Sequence, residues 1–264
     1  MAYNVKKYGF PFSNEFEYIW AGHYGAKGEP RGTKRKKTPR EIEYQNRWNK
    51  RKYIRRLIKL NFEEGIYVTL TYGRGQRKDM QGVKNDFKNF RDRMRRAYRK
   101  QGADFKYIYC IEIGSRGGIH IHMIVNRVPG KPETDKLIAE KWTFGHPHMT
   151  PLYQEGDYEQ LACYLAKVPQ EETGEDKKGR IARMEEITDE TYDYNTSRGN
   201  LIKPEPEEEK EYSRRTVKKL IEEGPEPTPG FYIDKNSVRT GINRFTGMSY
   251  LYYTEHLIKR KRRE

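Results

Sequence analysis

Cysteine is scarce in this 264-residue chain: Cys110 and Cys163 are the only two, and neither has a Cys-x-x-Cys partner. That pattern excludes a disulfide framework and a thiolate zinc site, and it fits a reducing compartment. No run of eighteen apolar residues occurs and no leader pattern is seen, so neither a membrane span nor secretion is expected. A Gly-x-x-x-x-Gly-Lys-Ser/Thr loop is also missing, which argues against an attached ATP-driven motor. There is no internal repeat.

What the chain has in excess is positive charge. Lys and Arg number 53 against 38 Asp and Glu, for a net charge of +15, the footprint expected of a partner rich in phosphate. Residues 31–60 carry thirteen basic side chains and two acidic ones, first in Lys34-Arg35-Lys36-Lys37 and then along a helix-like stretch at 38–59. Tyr44, Trp48 and Tyr53 interleave with these charges, so the helix could follow phosphates and stack on unpaired bases. The competing reading packs Trp48, Ile54, Leu57 and Ile58 onto a domain and leaves the charges solvated. A second basic helix, at 79–101, places Phe87, Phe90, Met94 and Tyr98 at helical spacing and Arg91, Arg93, Arg95 and Arg96 on its other sides.

Beyond residue 60 the patterning predicts strand 65–72, helix 79–101, strands 106–113 and 118–126, helix 133–143, strand 147–153 and helix 157–168. This order specifies an α+β domain with a mainly antiparallel sheet and helices packed against it. Three regions are expected: a basic amino-terminal arm and helix at 1–60, the α+β domain at 61–170, and an accessory region at 171–264. Within the last, 171–193 is charged and poor in large apolar residues and reads as a loop, 207–223 as a polar helix, 225–229 as a linker, and 230–253 as short aromatic-rich strands.

His120-Ile121-His122 carries the first candidate chemistry. Residues two apart on a strand share a face, so both imidazoles project together while Ile119, Ile121 and Met123 alternate with them. A single His-x-His is common and means little alone. Upstream, the strand around Glu112 and the turn Gly114-Ser115-Arg116-Gly117-Gly118 form a hairpin pattern that sets Glu112 opposite His120. Two nitrogens and one carboxylate on one face suit a divalent cation with open positions; magnesium or manganese fits, and imidazole also suits zinc. A second pair, His146-Pro147-His148, has no carboxylate placed across from it and reads as a turn and strand start.

Tyr164 and Lys167 carry the second. They lie three apart on a helix whose apolar stripe is Leu161, Leu165 and Val168, with Pro169 ending it. A tyrosine there is often only packing. Beside a cation it becomes a candidate nucleophile for phosphoryl transfer, because a phenol with a pKa near 10 is only about one part in a thousand ionised at neutral pH and needs that help.

These segments, in this order, resemble the replication initiators of the HUH endonuclease superfamily, in particular the rolling-circle replication-associated proteins of phages and plasmids. Tyr67-Val68-Thr69-Leu70-Thr71-Tyr72 is similar to the first motif, Glu112 with His120-Ile121-His122 to the second, and Tyr164-Leu165-Ala166-Lys167 to the third. Ser197-Arg198-Gly199-Asn200-Leu201-Ile202-Lys203-Pro204 is similar to a later Ser-Arg-Asn-Leu-x-x-Pro stretch, with Gly199 inserted. The likeness spans about 61–204. It implies a palm-like sheet with the metal strands central and the tyrosine helix laid over them. It also implies Mg2+ or Mn2+ held by His120, His122 and Glu112, and Tyr164 linked to the 5′ phosphate of a nicked strand with Lys167 assisting. Gln160 and Val168 stand four residues from Tyr164, so a single-tyrosine enzyme is implied. The implied partners are single-stranded or hairpin origin DNA and a host helicase and polymerase, in the cytoplasm of a bacterial host, with no membrane.

Three functions remain open on these grounds: nicking and joining at a replication origin, the same chemistry in transposition or conjugative mobilisation, and a single-stranded nucleic-acid-binding module without catalysis.

Overall fold

The protein was analysed as a computed structural model, in which residues 3–21, 38–114, 117–153, 158–166, 194–243 and 246–258 are described. It is α+β, with two antiparallel sheets and, among the described residues, five α-helices. The chain divides into two compact units, Arg40–Lys203 and a second built from Met1–Pro39 with Pro204–Glu264.

The central unit holds helix α1 (Pro39–Asn61), strand β3 (Ile66–Leu70), helix α2 (Met80–Lys100), strands β4 (Tyr107–Ile113) and β5 (Ile119–Val125), helix α3 (Thr134–Lys141), strand β6 (His148–Pro151), helix α4 (Glu159–Ala166) and the short strand β7 (Asn195–Thr196). The strands lie in the order β6-β3-β5-β4-β7, with β5 in the middle. Its position follows from composition, since a strand paired on both edges needs apolar residues wherever a helix covers it. Ile121, Met123 and Val125 of β5 join Ile66, Val68, Leu70, Tyr107 and Ile111 on one face, sealed by Phe87, Phe90, Met94 and Tyr98 of α2 and by Leu137 and Ile138 of α3. The Asp79 side chain caps α2 by accepting from Gly82 N–H at 2.8 Å. Tyr98 resolves its buried hydroxyl by donating to the Asn126 carbonyl at 2.6 Å.

The opposite face is apolar over only half its length. Ile108, Cys110 and Ile124 pack there with Ile54, Leu57, Ile58 and Phe62 of α1 and its end, and with Ala162, Leu165 and Ala166 of α4. The packing reading of α1 therefore holds for its second half. Arg51, Arg56 and Lys59 of the same helix are themselves buried, so these three cations are not a solvent-facing row for phosphates.

The second unit differs from the expected division. The stretch read as an amino-terminal arm contains a hairpin, β1 (Tyr3–Phe10) and β2 (Ser13–Trp20), turned at Pro11-Phe12. It pairs with carboxy-terminal strands in the order β10-β11-β2-β1-β8, with β9 also on β11, where β8 is Glu208–Tyr212, β9 Phe231–Ile233, β10 Arg239–Ile242 and β11 Ser249–Leu257. The residues before and after the central unit thus complete one sheet instead of forming separate flanks. Helix α5 (Arg214–Glu223) buries Val217 against Tyr3, Val5, Tyr18, Leu251 and Tyr253. The helix expected over 207–223 begins only at Arg214, where the Ser213 hydroxyl accepts from Thr216 N–H at 3.1 Å. Its first part is strand instead, because Lys6 and Lys7 stand opposite Glu209 and Glu208, and Lys6 pairs with Glu209 at 2.9 Å. Residues 171–193 and the basic tail from 259 lie outside the described residues. No helix among the described residues is long and apolar enough to cross a membrane.

Candidate active site on the five-stranded sheet

The half-apolar face of the central sheet changes character along its strands. At one end Ile108 stands opposite Ile124 within the apolar layer under α1 and α4. One pleat further, Thr69 of β3, His122 of β5 and Cys110 of β4 form a row across the sheet, which His148 of β6 continues beyond Thr69. At the far end Glu112 is directly opposite His120, the pairing predicted from the hairpin pattern. Period-two alternation does all of this: the residues between these polar ones belong to the sealed face.

The hairpin end is shaped by glycine. Gly117 has φ 71°, in the left-handed region that favours glycine. Gly114 N–H donates to the Gly118 carbonyl at 2.7 Å, closing the turn. A Cβ at Gly114 would come within 3.2 Å of His120 Nε2, so the bare backbone there leaves room for the imidazole. Burial first, then the charge of His122 and of Arg77, lowers the pKa of His120 against an opposing pull from Glu112. That favours the neutral imidazole a cation needs.

Tyr164 reaches this surface from α4. Eight residues are too few for a helix to persist alone. Burial of Ala162, Leu165 and Ala166 holds this one down, and so does Glu159 in its first turn, which takes Arg51 on one carboxylate oxygen and Arg55 on the other, each at 2.9 Å. Arg51 is further fixed by stacking on Trp48, 3.4 Å from its ring centroid. The small side chains of Ala162 and Ala166 let the helix lie close to the sheet. Tyr164 remains 40% exposed, open enough for a large substrate.

Its hydroxyl donates a short hydrogen bond to Glu112 Oε2 and lies 2.8 Å from His122 Nε2. Glu112 Oε2 and His122 Nε2 are themselves 3.3 Å apart. On the other side of the ring, His122 Nδ1 meets the Tyr67 hydroxyl at 2.8 Å and the Thr69 hydroxyl at 3.2 Å. Burial, then the bond to Glu112 and its charge, drive the Tyr164 pKa well above its ordinary value. These neighbours favour the neutral phenol; ionising it calls for added positive charge.

The structure thus brings Tyr164, Glu112 and His122 together and sets His120 on the same face. Among the described residues, no three His, Cys, Asp or Glu side chains cluster closely enough to hold a metal ion. His120 and His122 have ring centroids 6.3 Å apart. The donor types and their common face suit a divalent cation. The convergence is of two donors and a phenol, however, not of the three donors expected within a few ångströms. Lys167 lies outside the described residues. His146 and His148 behave as expected of a turn and strand start, with His148 opening β6.

Residues 65–169 match the family model of the replication-associated protein ORF2 group. No curated protein and no solved structure matches the chain. The matched span is less than half of the chain, and it contains Glu112, His120, His122, Tyr164 and Lys167. This likeness supports a replication-associated protein with DNA as its partner.

Sequence patterning had no means of finding two of the groups now seen at the site. Tyr67 and Thr69 were visible only as alternate residues of an apolar strand; their meaning depends on a register in which Thr69 is paired with His122. The Glu159 carboxylate, likewise, is informative only once α1 lies beside α4.

Proposed function

We propose that this protein initiates rolling-circle replication by nicking and rejoining single-stranded or hairpin origin DNA, as a single-tyrosine endonuclease of the HUH type. The observation that carries this reading is the meeting of the Tyr164 hydroxyl with Glu112 and His122 on an exposed sheet face. Tyr164 attacks the scissile phosphorus, a bond forms from its oxygen to phosphorus, and the bond to the 3′ oxygen breaks. The products are a 5′ phosphotyrosine and a free 3′ hydroxyl, and the phenolic proton leaves along the hydrogen bond already made to Glu112. Attack by a 3′ hydroxyl on the phosphotyrosine reverses the exchange, so joining needs no external energy source. His120, His122 and Glu112 would hold Mg2+ or Mn2+, which when bound polarises the phosphate and favours the phenolate. Lys167 assists the attacking or leaving oxygen, and a host helicase and polymerase supply strand separation and synthesis.

Labelled single strands tiling the element that encodes the chain, incubated with protein and Mn2+ and run on a denaturing gel, test this. A covalent adduct should form, vanish with chelator, and be absent from Tyr164→Phe. Replacing His120 and His122 together by alanine should abolish cleavage and leave salt-sensitive DNA binding. An adduct persisting in Tyr164→Phe would remove the proposed nucleophile.

The non-enzymatic binding module has one observation in its favour, the lack of a three-donor cluster among the described residues. It requires that chelator and Tyr164→Phe leave every activity of the protein unchanged.

A further inference from the structure

The motif-one strand β3 contributes nothing to the reaction just described, yet two of its side chains touch the central histidine. We propose that Tyr67 and Thr69 are positioning residues that form a two-hydroxyl cradle fixing the ring of His122, so that Nε2 faces Glu112 and Tyr164; this rests on the functional reading above. Three observations carry it. Both hydroxyls converge on the one nitrogen that faces away from the site, at 2.8 and 3.2 Å. The Tyr67 ring lies nearly parallel to the imidazole, with 13° between planes and centroids 6.1 Å apart, which restrains its tilt. Tyr67 and Thr69 also hydrogen-bond each other, so neither hydroxyl depends on the histidine to keep its place.

The choice of hydroxyls matters chemically. A carboxylate at Nδ1 would only accept, and would fix the histidine in one tautomer. A hydroxyl can donate or accept. With the hydroxyls donating to Nδ1, Nε2 carries the proton and can donate to the Tyr164 oxygen, as the 2.8 Å separation allows. With Tyr67 accepting from Nδ1–H and donating to Thr69, Nε2 presents its lone pair to a cation. The cradle holds the ring's direction constant while its polarity reverses, and being uncharged it adds less basicity to the ring than a carboxylate would.

The test uses the full chain. Ring nitrogen shifts of His122, read by long-range proton–nitrogen correlation, report the tautomer directly, and manganese titration followed by electron paramagnetic resonance reports affinity for the metal alone. Tyr67→Phe should keep the fold, alter the His122 nitrogen shifts, and weaken Mn2+ binding about tenfold, the lower end of what loss of such a partner causes. Thr69→Ser, which keeps the hydroxyl, should behave as the parent, whereas Thr69→Val should add to the effect of Tyr67→Phe. Unchanged nitrogen shifts together with unchanged Mn2+ affinity in Tyr67→Phe/Thr69→Val would overturn the cradle. The two proposals fail separately: a parent protein that forms no DNA adduct removes the nuclease reading, while the nitrogen shifts still judge the cradle.

Discussion

The two faces of the central sheet are written by the same strands and differ in nearly everything else. On one, Val68, Leu70, Ile121 and Met123 are fully buried under α2 and α3. On the other, the neighbouring residues Thr69, His120 and His122 are only partly buried and make polar contacts with Tyr67, Glu112 and Tyr164. Alternation lets a strand hold a rigid core with every second side chain and present chemistry with the rest. The sealed face supplies the stiffness that a site needs for precise placement. The lesson is that residue parity, more than distance from the site, should decide what a substitution does.

The largest effect expected from that contrast is catalytic. His122→Ala should lower adduct formation on single-stranded DNA by a thousandfold or more, about 4 kcal/mol in barrier, while moving the thermal midpoint little, because a half-open polar position is exchanged. A parallel drop in stability would mean that the open face is structural too. Its neighbour on the sealed face should do the reverse. Met123→Ala, at a fully buried position, should cost about 2–5 kcal/mol in denaturant unfolding and leave the chemistry of the remaining folded protein intact. Smaller again is the tether between helices α1 and α4. Glu159→Gln weakens the paired Arg51 and Arg55 contacts, and a double-mutant cycle with Arg51→Ala should give a coupling of about 0.5–3 kcal/mol; zero coupling would leave Leu165 and its apolar neighbours as the whole anchor of the tyrosine helix. The smallest is seen at high pH. Burial pushes Tyr98 up to about 12, so the folded state retains a proton that the unfolded chain releases near 10. That stabilisation is complete below pH 10 and is lost as pH rises toward 12. Tyr98→Phe should flatten the decline in stability across this window, and an unchanged slope would assign the decline to other groups.

Local patterns made the central unit readable. The hairpin of β4 and β5 is announced by alternation on both sides of a glycine-rich turn, and the Glu112–His120 pairing follows by counting. Helix α2 declared its buried face through Phe87, Phe90, Met94 and Tyr98. What stayed hidden depends on partners distant in the chain. Strands β1 and β2 pair with β8 and β11, some two hundred residues away, and in isolation their mixed charges read as a basic arm. Glu208-Glu209-Lys210-Glu211 is made of helix-forming residues, and cross-strand pairing with Lys6 and Lys7 overrides that preference. Tyr67 and Thr69 could be assigned to a strand but not to a task, because the task exists only in the register. The tyrosine was legible as a helix residue at the margin of an apolar stripe; that its hydroxyl would rest on both Glu112 and His122 was not.

The seven residues of β5 have a consequence for how this protein can change over generations. A one-residue insertion or deletion within Ile119–Val125 would turn the imidazoles inward and the isoleucines outward in a single step. No gradual route of length change exists through that strand, so core and site are inherited as one block, and variation in length is confined to the turns that join the strands.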